Sequence, residues 1–288
     1  MKNKLKVCIY GLSHLGCTTS ACLADLGFEI LGIDNNVEII EELNCQHKAP
    51  IEEKNLNKLI LKNITKNLHF TCYIHEEMLK EMDYLWVTFD TPVKGEEKSD
   101  VDFILERLDK VMNELSFKIP IIISSQIPVG TMEKIIKKYP KHNFCYCPEN
   151  LRHGTAIDNF LNPDRIVIGI RKIKDKILFN PLFKIISNNL LWVKIEEAEM
   201  IKHAINSFLA TCITFANELG EICKENKINY EQVRMGLITE SRIGNKLPLK
   251  AGKAYTGKTL ARDIRYLIDM SGNKFFKIVR RLNNNRLK

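Results

Sequence analysis

From its N-terminus the chain alternates short β-branched and aromatic runs with segments of helical spacing. LKVCIYGL reads as a strand, and the TTSACLADLG that follows reads as a helix stopped at Gly27. FEILGID and VEIIEELN repeat the pair, and NLHFTC, DYLWVTF, IPIIISS and HNFCYCP supply further strands. Strands alternating with helices predict βαβ units and an α/β fold built on a parallel, doubly wound sheet. Such sheets bind ligands at the carboxyl ends of their strands.

The pattern changes at Glu196, where one run to Asn226 is interrupted only by Gly220. Met200, Ile201, Ile205, Phe208, Leu209, Cys212, Ile213, Phe215 and Ala216 keep helical spacing on a broad face, which predicts a single long helix able to bridge domains or subunits. Two domains are therefore expected, residues 1–195 around the sheet and residues 196–288 as a helical unit. The tail NKFFKIVRRLNNNRLK reads only as basic and polar.

Composition narrows the setting. No stretch approaches 18 apolar residues, so no membrane span is expected. The basic start before LKVCIYGL is too short-lived to read as a signal peptide and fits a strand entering a turn. A cytoplasmic protein follows as the expectation. The nine cysteines show no paired CxxC spacing and are expected to be reduced, with no metal bound. The net charge of +8 comes from Lys and Arg spread along the chain, without a nucleic-acid-binding signature.

Chemistry enters at Gly11-x-Ser13-His14-Leu15-Gly16, between the first strand and the first helix. In a Rossmann-like turn of this kind, backbone amides and the helix N-terminus meet a pyrophosphate. Ser13 replaces the middle glycine, and its Cβ narrows that approach. Asp34 ends the second strand, where a carboxylate can take both ribose hydroxyls and repel a 2′-phosphate, which favours NAD over NADP.

Further along, PIEEKNLNKLI, VTFDTPV, SSQIPVGT, PENLRHGTAIDNFLNPDRIVIG, AEMIKHAINSFLATCITFANELGEIC and SRIGNKL follow in order. In order and spacing they resemble the signatures of the UDP-glucose/GDP-mannose dehydrogenase family, to about Leu267. The resemblance implies oxidation of the C6 alcohol of a nucleotide sugar with two NAD in succession. It implies cofactor contacts at Thr91, Pro92, Ser125, Gln126 and Arg262, and a water-positioning Glu149 beside the nicotinamide. Lys202 and Asn206 match the Lys and Asn of the family's long helix. Being four residues apart, they share one helical face and could together hold a developing alkoxide. Asp263 matches the aspartate closing the catalytic loop. Leu151, Arg152, Lys250, Tyr255 and Gly257 fall at substrate-binding positions. Arg242 matches an arginine that enters the neighbouring subunit's site, which implies a homodimer through the long helix.

The sequence also departs from that pattern. The family loop places a nucleophilic cysteine where Thr259 stands, and that cysteine carries the aldehyde on to the acid. Cys147 is the candidate for a relocated nucleophile, although a buried structural thiol is the simpler reading. His153 replaces a glutamate and brings an imidazole that could act as acid or base. The family's third, nucleotide-binding domain is expected to be missing. The expected function is a two-electron, NAD-dependent oxidation of a sugar hydroxyl on a nucleotide sugar or sugar phosphate. A redox-neutral NAD enzyme of epimerase or lyase type, and a non-catalytic binding paralogue, are the alternatives.

Overall fold

The computed structural model describes residues 4–149, 151–256 and 258–287. Ten strands run in chain order as β1 (Lys6–Tyr10), β2 (Glu29–Ile33), β3 (Leu68–Thr71), β4 (Tyr84–Val87), β5 (Val93–Lys94), β6 (Lys98–Ser99), β7 (Pro120–Ile123), β8 (Asn143–Tyr146), β9 (Ile166–Ile170) and β10 (Leu190–Lys194). Among them lie α1 (His14–Asp25), α2 (Val37–Glu41), α3 (Leu56–Asn63), α4 (Glu76–Lys80), α5 (Val101–Asn113), α6 (Thr131–Lys138), α7 (Ala156–Leu161) and α8 (Lys176–Ile186). After the strands come α9 (Ile195–Glu225), α10 (Tyr230–Thr239), α11 (Lys258–Ser271) and α12 (Lys274–Leu287).

Eight strands form one sheet in the order β10-β9-β8-β7-β4-β1-β2-β3. The strand order reverses between β1 and β4, which both pair in parallel, and this is where such a fold opens a crevice for ligand. The sheet departs from the all-parallel expectation at one edge. β9 pairs antiparallel with β8 and parallel with β10. β9 and β10, joined through α8, are not among the strands expected from the alternating pattern.

The inner strands β1, β2, β4, β7, β8 and β9 are buried on both faces, as their unbroken apolar runs require, while the edge strands β3 and β10 are partly exposed. β1 and β4 carry Val7, Ile9, Tyr84 and Trp86 into a core shared with Ala21 and Leu23 of α1 and with Phe179 and Phe183 of α8. VEIIEELN, expected as one helix, begins as α2 and continues as a π-helical turn over Glu42–Gln46.

Two compact units emerge. One comprises residues 1–92 and 100–199; the other comprises residues 93–99 and 200–288. The 31-residue α9 therefore gives its first turn to the sheet unit. The helical unit has its own apolar clusters, one of Ala210, Tyr255, Ile264 and Val279, the other of Cys212, Ala216 and Leu249. The polar tail is a helix whose Val279 and Asn283 are buried. No helix is long and apolar enough to cross a membrane among the described residues.

Candidate active site

In the sheet unit the turn after β1 is tightly constrained. Gly11 has φ +105°, and a Cβ there would lie 2.7 Å from the Phe89 ring. At Gly16 a Cβ would fall 1.8 Å from the Gly11 carbonyl oxygen, so only glycine lets α1 approach the turn. Thr88, at the end of β4, donates its hydroxyl to that same carbonyl at 2.7 Å. Asp34 closes the arrangement from the end of β2: its carboxylate accepts Leu12 N–H at 2.7 Å and Asn36 N–H at 2.9 Å.

Leu15 and Gly16 are buried in the first turn of α1. Two further hydroxyls bear on cofactor fit. Ser13 Oγ and Ser125 Oγ are buried without a hydrogen-bond partner among the described residues, which costs stability unless a ligand supplies one. Ser13 therefore brings a donor to the place where the glycine pattern leaves open space. The Gly11–Gly16 turn, the Asp34 carboxylate and these hydroxyls fit a dinucleotide.

Thr91 and Gln126, both cofactor positions by the resemblance, are brought together: Thr91 Oγ donates to the Gln126 carbonyl at 2.6 Å, and both side chains are buried. Pro92 is exposed. Glu149 is half-buried and accepts Leu151 N–H at 2.8 Å. Leu151 is half-buried, while Arg152 and His153 are exposed.

Sequence reasoning passed over Glu53 as a functional residue. Its carboxylate accepts Gly154 N–H at 2.8 Å, Ala156 N–H at 3.2 Å and a hydrogen bond with His14 Nε2 at 3.0 Å. Burial pushes the Glu53 carboxyl up, but the Gly154 amide, the His14 imidazole and the Ala156 amide outweigh it and hold the group below its ordinary range. The His14 ring in turn stacks on His153, with centroids 5.5 Å apart and planes 16° from parallel.

Cys147 is buried, and its thiol is pushed up to about 12 by that burial. A thiol so held is not a nucleophile near neutral pH, so the relocated-nucleophile alternative gains nothing from its surroundings. Beside it lies a cavity of about 70 Å³ lined by Leu15, Thr19, Trp86, Cys147, Glu149 and Phe183 among others. That is well below the several hundred Å³ a small-molecule site needs. The nine cysteines are free thiols, and the described residues include no group of three potential metal ligands.

In the helical unit Asn206 and Asp263 are brought together. Asp263 is fully buried on α11. One oxygen accepts His203 Nδ1 at 3.0 Å, the other accepts the Asn206 amide, and Arg262 Nε lies 3.7 Å from the first. His203 also stacks on Tyr266 with centroids 4.2 Å apart. Lys202, Asn206 and Arg262 are all buried. His203 was invisible to spacing arguments, because its partner is 60 residues away.

Thr259 is exposed in the first turn of α11. The loop before it is fastened at two points. Asn217 of α9 accepts Gly252 N–H at 2.8 Å and donates to the Lys253 carbonyl at 2.9 Å. Asn283 of α12 accepts Tyr255 N–H at 2.9 Å and donates to the Tyr255 carbonyl at 3.1 Å. Tyr255 is buried, and burial pushes its phenol up to about 12. Lys250 is exposed. Arg242 also points outward and pairs with Glu240 at 3.0 Å. Gly257 lies outside the described residues.

Residues 5–187 match the NAD binding domain of the UDP-glucose/GDP-mannose dehydrogenase family, and residues 196–285 match its central domain. The chain is 29% identical over 279 residues to the UDP-glucose 6-dehydrogenase of Rickettsia bellii, covering 94% of this chain and 64% of that protein. It is 30% identical over 296 residues to the UDP-glucose 6-dehydrogenase of Bacillus subtilis, covering 98% and 66%. A UDP-glucose dehydrogenase structure from Pyrobaculum islandicum superimposes with a TM-score of 0.89 at 25% identity, over 98% of this chain and 68% of that one. The chain thus spans about two thirds of the length of these relatives. Its ordered motifs, its turn held at Gly11, Gly16 and Asp34, and its two matched domains make it a member of the UDP-glucose/GDP-mannose dehydrogenase family.

Proposed function

We propose that the chain catalyses a two-electron, NAD-dependent oxidation of a sugar hydroxyl, on a nucleotide sugar or a sugar phosphate, to an aldehyde or ketone. The observation that carries this reading is Thr259, exposed at the position where the family pattern places the nucleophilic cysteine. A hydroxyl there is a poor trap for an aldehyde at neutral pH, and a trapped aldehyde is what a second hydride loss requires. NAD, when bound, accepts the hydride.

The remaining steps fall to side chains of this chain. Lys202, buried in α9, supplies a positive charge toward an alkoxide. Asp263, fixed on both oxygens by His203 and Asn206, offers a carboxylate of defined orientation for the departing proton. Asn206 thus spends one amide N–H on Asp263, leaving the other for substrate. In the sheet unit, Thr91 and Gln126 brace the loop after β4, and Glu149 is available to orient water or substrate.

We further propose a homodimer through α9. Phe208, Phe215 and Ile222 are spaced seven residues apart on that helix and are all about half exposed, an apolar stripe suited to a helix partner. The exposed Arg242 is free of the core and could reach a neighbouring subunit.

The test is incubation with NAD and a panel of nucleotide sugars and sugar phosphates, following NADH absorbance together with product mass. A product lighter by two hydrogen atoms, with one NADH per turnover, is expected. A carboxylic acid with two NADH per turnover would overturn the two-electron reading.

A further inference from the structure

β10 stands at the end of the strand order and pairs with β9 on one side. The pleat decides what its open side offers. Ile166 N–H of β9 donates to the Asn189 carbonyl at 2.9 Å, so Leu191 and Val193 turn their backbone groups to β9, while Leu190, Trp192 and Lys194 turn theirs outward. Lys194 N–H is spent on the Glu197 carboxylate at 2.8 Å, which closes the edge at that end. Leu190 and Trp192 are left to present theirs along the edge.

Between this edge and α8 runs a groove of about 770 Å³. Ile177, Pro181 and Trp192 give it apolar walls, and Ile177 is 79% exposed. Three exposed lysines, Lys174, Lys176 and Lys184, share the lining, and among the described residues no carboxylate does. Lys176 lies over the Trp192 ring, 5.3 Å from its centroid. The acidic side chains adjoining the groove in sequence are engaged: Asp175 is buried and accepts Lys172 N–H, and Glu197 holds Lys194 N–H.

An open strand edge completes its ladder with another extended chain. A second copy of this edge would set the same three lysines against each other, which disfavours self-pairing. A carboxylate-rich chain meets no such repulsion. We propose that the β10 edge and the α8 groove bind an extended acidic segment of a partner protein, added as a further strand outside β10. Its backbone pairs with Leu190 and Trp192. Its side chains alternate, one set lying toward α8, where the lysines receive carboxylates, and the other beside Leu191, which is 40% exposed on the opposite face of the sheet. This reading is independent of the chemistry at the cofactor turn.

The experiment titrates the full chain with a blocked peptide of alternating valine and glutamate, about eight residues long, and follows tryptophan emission. The chain has two tryptophans, and buried Trp86 is a constant background to Trp192. Saturable binding is expected, weaker as salt rises and roughly tenfold weaker or more in Lys176→Glu combined with Lys184→Glu. Both substitutions are on the surface and should leave the far-UV circular dichroism unchanged. N-methylation of the peptide, at all glutamates or at all valines, keeps every charge. At least one of the two should abolish binding, because alternate N–H groups face β10. No saturable binding below about 1 mM, equal binding of a valine–lysine peptide, unchanged binding in the double variant, or binding unaffected by either methylation overturns the proposal. An oligomer in light scattering that Leu191→Glu dissolves would give the edge to a second copy and overturn it as well.

Discussion

Replacing Glu53 by alanine should destabilise the sheet unit far more than a loop carboxylate ordinarily would. The substitution removes the common acceptor of Gly154 N–H, Ala156 N–H and His14. Ala156 is fully buried, so its orphaned amide carries a desolvation penalty of about 1–3 kcal/mol. Gly154 is exposed and His14 partly so; water can replace the carboxylate at each, and each loss is about 1 kcal/mol. The sum is on the order of 3–5 kcal/mol, a large share of the roughly 5–15 kcal/mol that holds a domain together. Urea unfolding of the wild type, Glu53→Ala and Glu53→Gln measures it, with glutamine, which keeps one acceptor oxygen, falling between the others.

The pH dependence follows from the direction of the Glu53 shift. Because the folded state holds this carboxyl below its ordinary range, its contribution is present above the unfolded value and is lost as pH falls through the folded one. The wild type should therefore lose stability on acidification more steeply than Glu53→Gln. A difference between wild type and Glu53→Ala below about 1 kcal/mol, or equal acid slopes in wild type and Glu53→Gln, would refute the reasoning.

Gly16→Ala should weaken NADH binding at least tenfold, measured by fluorescence, because its Cβ would have to displace the Gly11 carbonyl rather than a flexible side chain; unchanged affinity would remove the turn from the cofactor site. Thiol mapping with iodoacetamide in the folded protein should label exposed Cys45 and spare Cys145 and Cys147, both buried with raised thiols. Rapid labelling of Cys147 would revive it as a nucleophile. Phe208→Glu combined with Phe215→Glu should convert a dimer into a folded monomer by light scattering, since both side chains are about half exposed on α9; a dimer that survives both would place the interface elsewhere.

What could be read from the sequence was local. Gly11, Gly16 and Asp34 announce themselves by spacing along one βαβ unit, and all three lie at the turn after β1. The long helix is announced by its period, and it begins and ends within one residue of expectation, at Ile195 and Glu225. What could not be read depends on partners distant in the chain. Glu53 meets Gly154 across 101 residues, His203 meets Asp263 across 60, and Asn217 meets Gly252 across 35. Asn283 sits in a tail whose composition suggests solvent, yet it closes two backbone bonds on Tyr255 because α12 buries that face. The antiparallel edge escaped notice for a related reason: strand direction is set by the connection, and the residues of β9 suit either sense.

Glu199 sets a constraint on the order of events as the chain folds. α6 begins at Gly130, which has no side chain to cap the helix and sits at φ +87°. Its first amides are satisfied instead by the buried Glu199, which accepts Gly130 N–H at 2.8 Å and Met132 N–H at 2.9 Å. The chain between Met132 and Glu199 must be made and laid down before α6 has its cap, so this helix should mature late despite lying mid-domain. During synthesis the nascent sheet unit waits on the first turn of α9. A fragment cut at residue 195, where pattern alone would divide the domains, would omit the residue that completes a helix 67 positions upstream. In pulse-labelled hydrogen exchange during refolding, the Met132 amide should gain protection only after the β1–β4 core has formed.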